Sequence, residues 1–299
     1  MTNFLLFFST VLIWGTTWIA IALQVGPVPV LVSVFYRFAT AALLLVAALV
    51  LTGRLTWPAM KHHPFIAAQA LCLFCCNFIC FYQASHYIPS GLISVIFSLA
   101  TIYNVFNARL FFGDGISPRA LLATALGASG LVLLFGPDIA ASSNPEAWKG
   151  IGLAALGTLF FSLGNMASRR NSASGVAPVI ANAWGMSYGA LLLLFLIAVT
   201  GTPIVPPPNP TYLAAMLYLA AIGSVVGFTT YLMLVSRMGS QRAAYATVLF
   251  PVVALTLSTF YEDYHWTIAA MLGLALTLAG NVVMFIRLPE RPAPQLQQR

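Results

Sequence analysis

Residues 87–117 read YIPSGLISVIFSLATIYNVFNARLFFGDGIS, and residues 237–263 read RMGSQRAAYATVLFPVVALTLSTFYED. Laid 150 residues apart, Ser90 meets Ser240 and Leu99 meets Leu249. The register then runs on through Leu122 with Leu272, Ala125 and Leu126 with Ala275 and Leu276, Gly130 with Gly280, Val132 with Val282 and Phe135 with Phe285. An offset of 149 pairs Gly15 with Gly164, Pro29 with Pro178, and Leu43, Leu44 and Leu45 with Leu192, Leu193 and Leu194. Leucine on leucine is cheap in an apolar chain. Ser, Pro and Gly recurring at a nearly constant offset point to an internal duplication.

The composition decides what is duplicated. Of 299 residues 60% are hydrophobic and 6% charged, and the mean hydropathy is +0.92. A soluble domain carries about 25% charged residues. So few charges leave no means of covering a water-exposed surface, which excludes a soluble enzyme. The 13 Lys and Arg are scattered and form no basic stripe, which excludes a nucleic-acid binder despite the +7 formal charge. The solvent is the lipid bilayer, in which each span takes about 20 apolar residues.

Charges, Pro and Gly punctuate the apolar runs into ten spans, approximately 3–24, 30–52, 64–87, 90–111, 119–137, 149–168, 177–200, 211–236, 240–261 and 267–287. The expected fold is an all-α integral membrane protein of ten transmembrane helices. Residues 1–140 form a first five-helix repeat, 141–288 a second, and 289–299 a disordered cytoplasmic tail. Pro203 to Pro210 is a stiff, extended connector. The first span lacks a basic leader and is long for a signal peptide, so it is kept as a span. Five is odd, so the second repeat enters from the opposite face. The halves are then inverted about a pseudo-two-fold axis in the membrane plane, a layout suited to alternating access.

The positive-inside rule sets the orientation. Arg54, Lys61, Arg109, Arg119, Arg169, Arg170, Arg237, Arg242, Arg287, Arg291 and Arg299 fall on one side, against Lys149 and Arg37 toward the other. Both termini are expected in the cytoplasm.

Several stretches carry a family likeness. They are the Trp14-Gly15-Thr16 opening, Tyr36-Arg37-Phe38 in the second span, and the two stretches quoted above. Each of those leads into an Ala/Gly-rich helix, ending GASGLVLLF or TLAGNVVMF. Over roughly residues 1–288 the chain resembles the drug/metabolite transporter superfamily in its ten-helix EamA-like branch. The resemblance implies a bacterial inner-membrane exporter of amino acids or other metabolites. One departure stands out: the proline of these helices is Pro251 in the second half but Thr101 in the first, so the two halves do not share a proline hinge.

Polar residues inside spans are candidates for function because apolar surroundings make them costly. Arg37 lies within the second span and is read either as a structural arginine or as the contact for a solute carboxylate. No carboxylate lies deep in any span, which disfavours a site for permanent cations. Phe97, Thr101 and Asn104 share a face of the fourth span; Trp14 and Trp18 share one on the first. Asn77 with Phe81, and Tyr82 with His86, do so on the third, and Asn165 and Tyr245 are their counterparts in the second half. These twelve residues form the expected lining for a neutral or aromatic amino acid or a similar amphiphilic metabolite. The alternative is a hydrophobic-cation drug exporter of the same architecture.

No enzyme chemistry is expected, since His62, His63, His86 and His265 form no cluster with acids beyond the polar loop at Glu262, Asp263 and His265. No cofactor and no metal are expected. Cys72, Cys75, Cys76 and Cys80 sit in one apolar run without histidine or carboxylate and read as packing. The partners are then the solute and the bilayer. Gly185 to Gly189 and Gly223 to Gly227 are read as helix contacts within a monomer, with dimerisation the alternative. The connectors at Pro89-Ser90 and Gly239-Ser240 are expected to move their helix pairs as gates, with bending aided by Pro251.

Overall fold

The structure is a computed structural model that describes residues 3–140, 146–231 and 246–285. The connector Gly239-Ser240, Tyr245, Arg237, Arg242 and the expected tail lie outside these residues. The described chain is helical, with no strand. Among the described residues, eight helices are long and apolar enough to cross a membrane. They are α1 (Asn3–Ala22), α2 (Val30–Leu51), α3 (Met60–Ala84), α4 (Ser90–Phe112), α5 (Pro118–Ala140), α6 (Ala147–Ala173), α7 (Pro178–Thr200) and α8 (Pro210–Tyr231). Two shorter apolar helices follow, α9 (Ala246–Tyr261) and α10 (Ile268–Phe285). The expected spans agree with these bounds to within a few residues wherever they can be compared.

Burial is reversed relative to a soluble protein. Leu43, Leu51, Leu110, Phe260 and Ile268 are all at least 70% exposed on the outside of the bundle. Thr10, Gln24, Ser33, Gln69, Ser98, Thr158 and Asn281 are fully buried inside it. Hydrocarbon offers no hydrogen bonds, so polar groups turn inward and find partners there. Thus Gln69 donates to Asn182 at 3.2 Å and accepts from Asn171 at 3.0 Å. Tyr82 donates to Gln24 at 2.7 Å, and Asn107 to Ser162 at 2.8 Å.

The backbone repeats itself. Among the described residues the left-handed positions are Gly26, Gly53, Gly113, Gly175, Gly201 and Asp263. They fall into three pairs, Gly26 with Gly175, Gly53 with Gly201 and Gly113 with Asp263, spaced 149, 148 and 150 residues. Each ends or follows a helix, where a left-handed residue closes the last turn. Asp tolerates the conformation better than most side chains, which fits Asp263 to the place that Gly113 holds in the first half. Widened π-turns recur likewise, at Leu71–Cys76 within α3 and at Tyr218–Val226 within α8. Helix contacts follow the same exchange. α2 packs on α7, α4 on α9 and α5 on α10, while α1 on α9 is answered by α6 on α4, and α2 on α8 by α7 on α3.

Glycines let these helices approach closely. A Cβ on Gly130 would lie 2.6 Å from the Gly273 carbonyl oxygen, and one on Gly280 would lie 2.8 Å from that of Ala123, so α5 and α10 cross backbone to backbone. Both GxxxG pairs are used inside the chain. Gly185 and Gly189 receive Phe74 of α3, whereas Gly223 and Gly227 receive Thr17 and Trp14 of α1.

The helix α4 breaks at Leu99 (φ −73°, ψ 0°) although it contains no proline. Asn281 of α10 spans the break, accepting from Thr101 at 2.7 Å and donating to Ser98 at 3.1 Å. Its counterpart α9 carries Pro251 and stays helical through it.

Candidate functional site

Midway along the bundle, α1, α2, α3, α4, α6, α8 and α9 converge on an internal cavity of about 50 Å³. The helix periodicity of α1 sends Trp14, Thr17, Trp18 and Ile21 to this face; α3 adds Leu73, Asn77, Phe78 and Phe81. Phe97, Phe161, Phe228 and Phe250 arrive from α4, α6, α8 and α9. The rings lock together at one end. Trp18 meets Phe81 at 5.2 Å and Phe97 at 5.4 Å between centroids, and Phe97 meets Phe161 at 4.6 Å. Such edge-on and tilted pairs contribute about 0.5–1.5 kcal/mol each beyond burial. At the other end Trp14 lies against Phe228 and Tyr231, at 5.6 Å and 4.9 Å.

Besides Thr17, whose hydroxyl donates to the Trp14 carbonyl at 2.7 Å, two polar side chains interrupt this wall. Arg37 of α2 is 3% exposed. Its Nε donates to Ser224 at 3.3 Å, and its guanidinium lies 4.2 Å from the Phe78 ring centroid and 5.3 Å from that of Phe38. Its NH1 nitrogen is buried with no hydrogen-bond partner. The equivalent position 149 residues later holds Met186, fully buried and apolar. Asn77 is 1% exposed, and neither its Nδ2 nor its Oδ1 has a partner. An unmet buried polar atom costs about 1–3 kcal/mol, more when charged. Three such atoms belong to residues that line the cavity.

The cavity gathers Trp14, Trp18, Arg37, Asn77, Phe81 and Phe97 out of the twelve expected lining residues. Five of the others lie elsewhere. Tyr82 is fully buried and bonds Gln24. Thr101 bonds Asn281, and Asn104 accepts from Asn165 at 3.3 Å, so these three amide and hydroxyl groups join α4 to α10 and α6. His86 is exposed in the turn after α3, and Tyr245 lies outside the described residues. Phe78, Phe161, Phe228 and Phe250 were not among the expected lining. One signal for them was present: Phe228 stands 150 residues after Phe78, in the register of the repeat. The four cysteines are free thiols on and after the π-turn of α3.

A bundle of membrane-length helices with apolar side chains outward and polar ones inward defines a polytopic membrane protein. The EamA-like transporter family matches residues 1–136 and 148–286, and the chain belongs to that family. The chain is 27% identical over 255 residues to an "Uncharacterized inner membrane transporter YedA" of Escherichia coli (strain K12), covering 84% of this chain and 80% of that one. It is 25% identical over 297 residues to "Protein PagO" of Salmonella typhimurium, covering 93% of each. A "Probable amino-acid metabolite efflux pump" of Escherichia coli (strain K12) is 21% identical over 212 residues, 69% of this chain and 70% of that one. A solved structure titled "Crystal structure of protein" superposes with a TM-score of 0.67 at 21% identity, covering 94% of this chain and 96% of the other, and shares the fold.

Proposed function

We propose that this chain is an alternating-access transporter of the bacterial inner membrane. It exports neutral or aromatic amino acids, or similar small amphiphilic metabolites that join an apolar body to a carboxylate. The observation that carries the reading is the cavity itself: aromatic rings from both halves of the sequence surround an arginine and an asparagine with unused hydrogen-bonding atoms. The name of the efflux-pump relative points the same way.

In this reading, residues 1–140 and 141–288 are inverted five-helix halves, ten spans in all, with both termini in the cytoplasm. The paired left-handed turns, the paired π-turns and the exchanged helix contacts support it. A cavity of about 50 Å³ is a third of the roughly 150 Å³ that admits benzene. In this reading the cavity as described is too small for such a solute, which enters only when the halves rock apart. The hydrophobic-cation alternative is disfavoured because the lining offers a buried cation and no acid.

Uptake of radiolabelled phenylalanine, leucine and tryptophan into proteoliposomes tests the proposal. Accumulation above empty vesicles by at least one of them is expected. Rates equal to empty vesicles for all three overturn it.

A further inference from the structure

The charge balance of the pocket carries a sharper statement about what is recognised, and it rests on the transport reading above. Arg37 keeps its charge at any physiological pH. Among the described residues the ion pairs are Lys149 with Glu146 and Arg169 with Asp114, both on the surface, so no acid neutralises Arg37. Its contacts are the Ser224 hydroxyl, the neighbouring Tyr82 phenol and two aromatic faces, none of them a carboxylate. The ring contacts moderate the burial of the charge but fill none of its N–H donors. Arg37 and Asn77 both line the cavity, and each keeps a buried N–H donor without a partner, NH1 of the one and Nδ2 of the other, which is a donor supply suited to a carboxylate. For an ammonium group the same lining holds one unused buried acceptor, Asn77 Oδ1, against three N–H donors, and places that ammonium in a chamber that already holds an uncompensated cation.

We infer that the site selects for the carboxylate and against the ammonium. Its preferred solutes are organic monocarboxylates on an aromatic or branched apolar body, such as aryl-propionates and aromatic 2-oxo or 2-hydroxy acids. Zwitterionic amino acids are accepted as weaker members of the class. Hydrophobic amines are excluded.

Four compounds with one ring and one chain length separate the alternatives at neutral pH: 3-phenylpropionate (−1), phenylalanine (zwitterion), 3-phenylpropanamide (neutral) and phenethylamine (+1). The assay is displacement of radiolabelled 3-phenylpropionate from purified protein, with radiolabelled phenylalanine run in parallel. The carboxylate is expected to bind about ten-fold or more tighter than phenylalanine and the amide, as one charge-assisted contact in a dry pocket warrants. The amine is expected not to compete. In Arg37→Gln the advantage of carboxylate over amide collapses to about three-fold or less, whereas Arg37→Lys, which keeps the charge as a point donor, retains part of it. Should Arg37→Gln fail to fold, the order of the four compounds on the wild-type protein decides alone.

Phenylalanine binding as tightly as 3-phenylpropionate, or competition by phenethylamine, overturns this inference while leaving the transporter reading standing. Binding of none of the four, together with no amino-acid uptake, removes both.

Discussion

Glu262, just beyond α9, ties one end of that helix to the start of α4, and removing its charge should loosen the tie. Its carboxylate accepts from the Ser90 amide at 3.0 Å to each oxygen, from the Ser90 hydroxyl at 2.6 Å and from the Ser258 hydroxyl at 2.5 Å. Ser258 in turn accepts from the Gly91 amide at 2.9 Å. The first two orphan N–H groups of α4 are thus met from α9, at the positive end of the helix. In Glu262→Gln the amide oxygen replaces one acceptor, while its NH₂ faces the other donors. Losing one charge-assisted bond of about 1.5–3 kcal/mol shifts the tied-to-untied ratio roughly 10- to 150-fold. The assay places a single cysteine at Ile21, a buried residue of the pocket wall, in a background where Cys72, Cys75, Cys76 and Cys80 are serine. Labelling by a membrane-impermeant thiol reagent added outside intact cells should rise about ten-fold or more in the Gln variant, the lower limit of the ratio shift. Unchanged labelling alongside a lowered melting temperature would refute the gate and reduce Glu262 to a structural clasp.

Other outcomes follow from the packing. Gly130→Ala and Gly280→Ala each push a methyl into the facing backbone, at 2.6 Å and 2.8 Å, and should destabilise by about 1–3 kcal/mol as lowered melting temperatures in detergent. Gly152→Ala meets nothing within 4 Å and should be neutral or slightly stabilising. Asn281→Leu removes the bridge across the Leu99 break and should lower the maximal transport rate about three-fold or more, with solute affinity nearly unchanged, as for a hinge that gates turnover. Asp114 is held below the usual carboxylate range, first by its hydrogen bond from Arg169 and then by that charge. Because the folded value is depressed, its contribution is present above the ordinary carboxylate range and fades as pH falls through the folded value. Asp114→Asn should therefore lower stability at neutral pH, only slightly because the pair is exposed, and leave it unchanged below the folded value, so that the acid limb of a stability–pH profile flattens.

The spans were legible because a helix in lipid must be a long apolar run bounded by charge, Gly or Pro. Ser, Pro and Gly matches raised the expectation of a duplication, and the turn glycines Gly26, Gly53, Gly175 and Gly201 carry the same register. The break at Leu99 was not legible. It rests on Asn281, 182 residues further along, and a distant side chain leaves no local trace. The π-turns were hidden for a related reason: Leu71–Cys76 and Tyr218–Val226 are as apolar as their neighbours.

The site was half legible. Helical spacing placed Trp14 and Trp18 on the cavity face but could not say which way the polar face of α4 turns. Thr101 and Asn104 spend their hydrogen bonds on neighbouring helices, while Phe161 and Phe250, unremarkable in an apolar chain, reach the cavity.

The turns recur along the chain while the chemistry is one-sided, since the position 149 residues after Arg37 holds Met186. On the proposed reading, a passenger anchored on Arg37 would travel as a rider of α2, keeping its acidic end on the same helix while the opposite wall is exchanged around its ring. Release would then depend on water reaching that one guanidinium, and hydration of a single spot would be the slow event by which cargo departs.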